Sequence, residues 1–94
     1  MYAPDVASIE PHATPGHEKE TRGLNAVVEK GRKFTSMVEK MHSLKISDPI
    51  VGGDAFACTM QLDMDMKGQG RINMAEVCVY QVKDGKIVSE QFFY

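Results

Sequence analysis

Ninety-four residues with 43% apolar and 26% charged side chains make one ordinary globular domain, small enough that its core alone is only marginally stable. A net charge of −2 with no basic cluster gives no sign of a nucleic-acid or membrane partner. No apolar run nears the roughly 20 residues of a membrane span, residues 1–5 lack the basic start and apolar stretch of an export signal, and Cys58 and Cys78 are too few for a disulfide scaffold, so a cytoplasmic protein is expected.

In chain order, Val6-Ala7-Ser8-Ile9-Glu10 is a short strand closed by Pro11. Residues 12–22 are polar and broken by Pro15-Gly16, which predicts a loop. Leu24, Val27, Val28, Gly31, Phe34, Val38 and Met41 recur at three- and four-residue steps, one helical stripe of about five turns. Gly31 inside that stripe costs about 1 kcal/mol against Ala and suggests a close approach to the sheet. Leu44-Lys45-Ile46-Ser47 and Ile50-Val51 follow as a strand interrupted near Pro49. Residues 55–66 alternate strictly, with Phe56, Cys58, Met60, Leu62, Met64 and Met66 on one face. Residues 67–70 turn the chain, and residues 71–82 return.

Asp84-Gly85 between two β-branched and aromatic runs is a strong hairpin signal. The whole order predicts an α+β fold: a curved antiparallel four-stranded meander plus a short first strand, packed against one long helix. Pairing the apolar faces across residues 68–70 sets Cys58 beside Cys78 and Met60 beside Glu76. A two-residue Asp84-Gly85 turn pairs Val82 with Ile87, Val79 with Glu90 and Val77 with Phe92. One face then carries Met60, Leu62, Met64, Met74, Cys78, Tyr80, Gln91 and Phe93. The other carries Gln61, Val77, Val79, Glu90, Phe92 and Tyr94. Both faces are substantially apolar and one helix covers only one of them. A second copy of the chain is the simplest cover for the other, which predicts a homodimer.

The strand Val77-Cys78-Val79-Tyr80, then Asp84-Gly85-Lys86-Ile87-Val88 and Glu90-Gln91-Phe92-Phe93-Tyr94, resembles the closing hairpin of SnoaL-like proteins. These belong to the nuclear transport factor 2-like superfamily, in which a curved sheet and helices form a cone. Residues 2–11 resemble that superfamily's first strand, and Arg22-Gly23-Leu24-Asn25-Ala26-Val27 the start of its third helix. The resemblance covers nearly the whole chain as a single domain, residues 1–94, without the two helices that usually precede the first strand. It implies a shortened cone, or one whose open face a partner subunit covers. It is poorly specific for activity, because the superfamily holds isomerases, cyclases, dehydratases, hydrolases and non-enzymatic binders. Against ketosteroid isomerase the match is partial: the general-base carboxylate falls on Glu10, the oxyanion acid on Val77, and the oxyanion tyrosine within the missing helices. Steroid isomerase chemistry is therefore not expected.

Three carboxylates are candidates for chemistry. Glu10, at the end of a strand facing an apolar cone, is placed to take a proton alpha to a carbonyl; the plain alternative is a solvent-facing residue beside Pro11. Glu90 shares the predicted pocket face with Gln61, Val77, Val79, Phe92 and Tyr94, or sits at the rim held by lysine or water. Glu76 falls on the face assigned to the interface, with Met60, Leu62, Met64, Met74, Tyr80 and Phe93; were the faces reversed, it would be the pocket acid. Tyr94 either donates its phenol into the pocket or frays as the terminal residue. Asp63-Met64-Asp65 imitates a calcium loop, but Lys67 occupies a ligand position and strands flank it. His12, His17 and Glu18 lack the spacing of a metal site. Neither cysteine has a base beside it in sequence.

The expectation is a SnoaL-like protein binding a small apolar molecule, without metal or other cofactor. A cofactor-free isomerase, cyclase or hydrolase using Glu10 or Glu90, and a non-catalytic dimerisation module, are the alternatives.

Overall fold

The computed structural model describes residues 1–13 and 18–94. It is an α+β structure, one helix against a seven-stranded, mostly antiparallel sheet that does not close. In chain order the elements are β1 (Tyr2–Ile9), β2 (Glu20–Arg22), α1 (Leu24–Met37), β3 (Val38–Ile46), β4 (Ile50–Gly52), β5 (Ala55–Met66), β6 (Gly70–Lys83) and β7 (Lys86–Phe93). The sheet runs β2-β1-β7-β6-β5-β3, with β4 pairing the start of β5. β1 lies parallel to β7; the other pairings are antiparallel.

Three elements differ from the sequence reading. The helix stops at Met37, and Val38 and Met41 belong to β3, where they pair Met66 and Met64 of β5. Their spacing suits a helix, but pairing β3 against the long β5 satisfies backbone groups along nine residues, and β-branched Val38 fits a strand well. Residues 20–22, read as loop, form β2 through backbone pairing with residues 7–9 of β1. Pro15-Gly16, the centre of the predicted loop, and His17 lie outside the described residues. A Cβ added at Gly31 would meet nothing within 4 Å, so no close helix–sheet approach requires that glycine.

The helix start is set by tertiary contact. Its N-cap is Gly23, without a side-chain cap and without an acid in the first turn. Instead the Gly23 N–H donates to the Val6 carbonyl at 2.9 Å, tying the helix to β1 before it begins. Only Val27 on α1 is buried. The densest core lies near the end of the helix, where Leu62, Met64 and Met66 pack with Met37, Val38, Ile72 and Met74. Ala3, Val6 and Ala7 of β1 and Cys78 of β6 are buried as well.

The β5–β6 register is the one expected: Cys58 faces Cys78 and Met60 faces Glu76. The β6–β7 register begins as expected, with Val82 opposite Ile87, and then slips. Gln81 pairs Ser89, which leaves Val88 as an extra residue on β7, a β-bulge. Beyond it, Tyr80 faces Glu90, Cys78 faces Phe92 and Val77 faces Phe93, where the even hairpin put Val79 with Glu90 and Val77 with Phe92. One inserted residue exchanges the faces of the rest of the strand.

Candidate functional site

The bulge turns Glu90, Phe92 and Tyr94 to the concave face, where β5 and β6 already present Met60, Leu62, Met74, Glu76 and Tyr80. With α1 above them these residues wall a cavity of about 360 Å³. Val27, Lys30, Gly31 and Phe34 of the helix line its roof, and Glu10 and His12 its rim. The cavity is therefore built from both sets of residues that the sequence reading had separated.

Several assignments change. Gln61, Val77 and Val79 were expected in the pocket; they alternate onto the convex face, where Val77 is half exposed. Met60, Leu62, Met74 and Tyr80, expected at an interface, line the cavity. Met64, also expected there, is buried in the core. Phe93 alone of that group stays on the convex face, opposite Val77 and half exposed. Phe92 and Tyr94 line the cavity.

The three carboxylates converge there with different partners. Glu90 is buried, and both its oxygens accept hydroxyl protons: Oε1 from Tyr2, and Oε2 from the Ser8 Oγ at 2.6 Å. Glu10 Oε2 pairs with the Lys30 ammonium, and Oε1 accepts from the Tyr94 phenol at 2.7 Å. Tyr94 is thus held at the site, and both its burial and its bond to Glu10 raise its phenol's pKa. Lys30 also donates to Ser8 Oγ at 2.7 Å, so one chain of contacts links Tyr2, Glu90, Ser8, Lys30, Glu10 and Tyr94. The Lys30 Nζ lies 5.4 Å from the Phe92 ring centroid. His12 meets the Tyr94 ring edge-on at 6.0 Å.

Glu76 differs from the other two. Among the described residues its one hydrogen bond is the weak contact from the Cys78 thiol, 3.5 Å from Oε1. Burial raises its carboxyl pKa above the ordinary range; the Cys78 contact and Lys30 oppose that shift, and the Glu10 charge adds to it. The Cys78 thiol is itself pushed up to about 12, by burial first and then by Glu76, so it is no nucleophile at neutral pH. Among the described residues no three His, Cys, Asp or Glu side chains are grouped to hold a metal ion, and His17 lies outside that set. Asp63 and Arg71, far along β5 and β6, form a two-bond ion pair at 2.8 and 2.7 Å instead of serving the site. That pair holds the Asp63 carboxyl below its usual pKa.

Lys30 is the charged residue of the cavity wall that the sequence reading does not single out. It stands one turn before Phe34 and three residues after Val27, so the apolar stripe itself marks the helix face it occupies. The bulge hid the rest: Val88 carries no glycine or proline to announce it.

Comparison with known proteins places this geometry in a family. The SnoaL-like domain model matches residues 1–94. A crystal structure from Mesorhizobium loti, put forward as a SnoaL-like polyketide cyclase and also labelled a carbohydrate phosphatase, is 35% identical and superposes with a TM-score of 0.87, over 99% of this chain and 78% of that one. A Xanthomonas campestris protein of unknown function with a cystatin-like fold is 24% identical, with a TM-score of 0.82 over 98% of this chain and 70% of that one. An NTF2-like protein of unknown function from Burkholderia pseudomallei is 19% identical, with a TM-score of 0.84 over 99% and 72%. The last two likenesses show the fold alone. Among curated proteins none matches the sequence. With its whole length matched and a 35% identical relative of the same description, the chain belongs to the SnoaL-like domain family.

Proposed function

We propose that the chain binds a small, largely apolar molecule between α1 and the concave face of the sheet. The observation that carries this is the cavity itself: about 360 Å³, with Phe34, Met60, Leu62 and Met74 as apolar lining. Ligand sites are commonly cavities of a few hundred Å³, lined by apolar side chains with a few converging polar groups. Met60 and Met74 suit such a wall, since the unbranched thioether adapts to different shapes. Binding of the neutral fluorophore prodan tests the reading. Its emission should shift to the blue with the wild-type protein, and Met74→Trp, which fills the cavity, should abolish the shift while far-UV circular dichroism stays unchanged. Equal binding by the filled variant would locate the fluorophore elsewhere and sink the proposal.

A second reading, cofactor-free proton transfer in an isomerase, cyclase or hydrolase, has one observation in its favour. Glu76, Glu10 and Lys30 face the same cavity, an acid–base group beside a carboxylate–ammonium pair. In that reading Glu76, free of strong donors, exchanges the proton. Glu10 orients Lys30, and Glu90, with both oxygens occupied, anchors β1 to β7. The Mesorhizobium relative's description, as a polyketide cyclase and also as a carbohydrate phosphatase, supports an enzyme reading without choosing between these reactions. We also propose that the chain pairs with a second copy through its convex face, now centred on Val77, Val79 and Phe93.

A further inference from the structure

We propose that the cavity selects a monovalent organic cation with an apolar body, a protonated amine carried on a ring or short hydrocarbon, with Glu76 as its counter-ion. This rests on the binding reading above and adds the charge class of the ligand.

The polar groups of the wall are unequally paired. The Lys30 ammonium is committed to Glu10 and Ser8, so the Lys30–Glu10 pair contributes no net charge. Glu90 receives hydroxyl groups only, and Glu76 a thiol only. Among the described residues the wall therefore holds two carboxylates without a cationic partner. An anionic ligand would meet both, and Glu76 Oε2, which accepts from no described residue and is not sealed from solvent, is open to a donor on a ligand. A neutral ligand would leave the charge of Glu76 half-buried, with only the more distant Lys30 ammonium, already paired to Glu10, to offset it. An ammonium supplies both the missing charge and the missing donor. Charge-assisted hydrogen bonds of this kind are about twice as strong as neutral ones.

The rest of the wall suits the same guest. Phe34, Tyr80, Phe92 and Tyr94 bring four aromatic rings to the cavity. One of them, Phe92, already lies 5.4 Å from the Lys30 ammonium, so the wall accommodates a cation against a ring. Met60, Leu62 and Met74 take the apolar body. The upward shift of the Glu76 carboxyl, caused chiefly by burial, is what a counter-ion site shows when its cation is away.

Three probes of matched shape test the proposal: 2-naphthylmethylamine, 2-naphthylmethanol and 2-naphthoate, each titrated calorimetrically at neutral pH into the wild-type chain. The amine should bind about tenfold more tightly than the alcohol, about 1.4 kcal/mol, with naphthoate weakest. Glu76→Gln should bring amine and alcohol within about threefold of each other, and Glu76→Asp, which keeps the charge, should restore the preference. Alcohol or naphthoate binding as tightly as the amine would overturn the cation assignment while leaving the apolar-pocket reading in place. So would a preference that survives Glu76→Gln. No binding by any of the three, with the protein folded, would overturn both.

Discussion

Glu76 carries an unusual burden among the side chains of this domain. Ionising it inside the fold means charging a half-buried oxygen pair whose only hydrogen-bond donor among the described residues is a thiol. Its pKa is raised on folding, so its contribution to stability is fully present below the unfolded carboxyl value. That contribution is lost as pH rises through the higher folded value. The neighbours divide: the Cys78 thiol and Lys30 lower the cost of ionisation, while Glu10 increases it. Glu76→Gln removes the titration. The variant should gain melting temperature relative to wild type as pH is raised from about 4, the ordinary carboxyl range, towards neutrality. Thermal unfolding of both proteins across that range is the measurement, and a difference that does not change with pH would show that Glu76 carries no such penalty. Glu90, more deeply buried, illustrates the opposite solution: Tyr2 and Ser8 each donate to it, so its burial is matched by hydrogen bonds.

At the level of elements, the helix and the final hairpin show what was legible in the chain and what was not. The alternation of residues 55–66 against 71–82 fixed a register in which Cys58 faces Cys78, because a one-residue slip would have turned a whole apolar face outward. The Asp84-Gly85 turn was equally legible: both residues take positive φ, 53° and 75°, as a tight hairpin of this type requires. The bulge at Val88 was not, since a β-branched residue fits an extended strand whether or not it is paired. That single residue decided that Glu90, Phe92 and Tyr94 reach the cavity beside Glu76. The end of the helix was hidden for a related reason: Val38 and Met41 satisfy the helical period, and only the presence of β5 as a partner makes them strand. Gly31 gives this scale its prediction. It lies inside α1, lines the cavity, and leaves open space where a Cβ would stand. Gly31→Ala should therefore stabilise the protein by about 1 kcal/mol through helix propensity alone. Urea unfolding checks it, and a destabilised variant would mean that the helix packs more tightly on the sheet than this structure has it.

For the molecule as a whole, one helix on a seven-stranded sheet leaves much of the sheet uncovered. No helix among the described residues is long and apolar enough to cross a membrane, so lipid does not account for this surface by way of a helical span. Two apolar regions compete as the place where a second copy would sit. The convex face offers Val77 and Phe93, 41% and 48% exposed and directly opposite each other, with Val79 beside them. The β3–β4 side offers Leu44, Ile46, Ile50 and Val51, which are more exposed, with Ile50 at 78%. A standard interface takes about 800 Å² from each partner, about one eighth of the 6373 Å² this chain exposes. The convex face is broad enough in strands for that, since β5, β6 and β7 lie side by side there, whereas β3 is an edge. Sedimentation equilibrium should accordingly give a dimer for the wild type and a monomer for Val77→Lys, a charge placed at the centre of the apolar contact. Ile50→Lys should leave the dimer intact. A monomeric wild type at micromolar concentration would remove the interface altogether. Dissociation by Ile50→Lys and not by Val77→Lys would move it to β3 and β4, whose residues do not line the cavity.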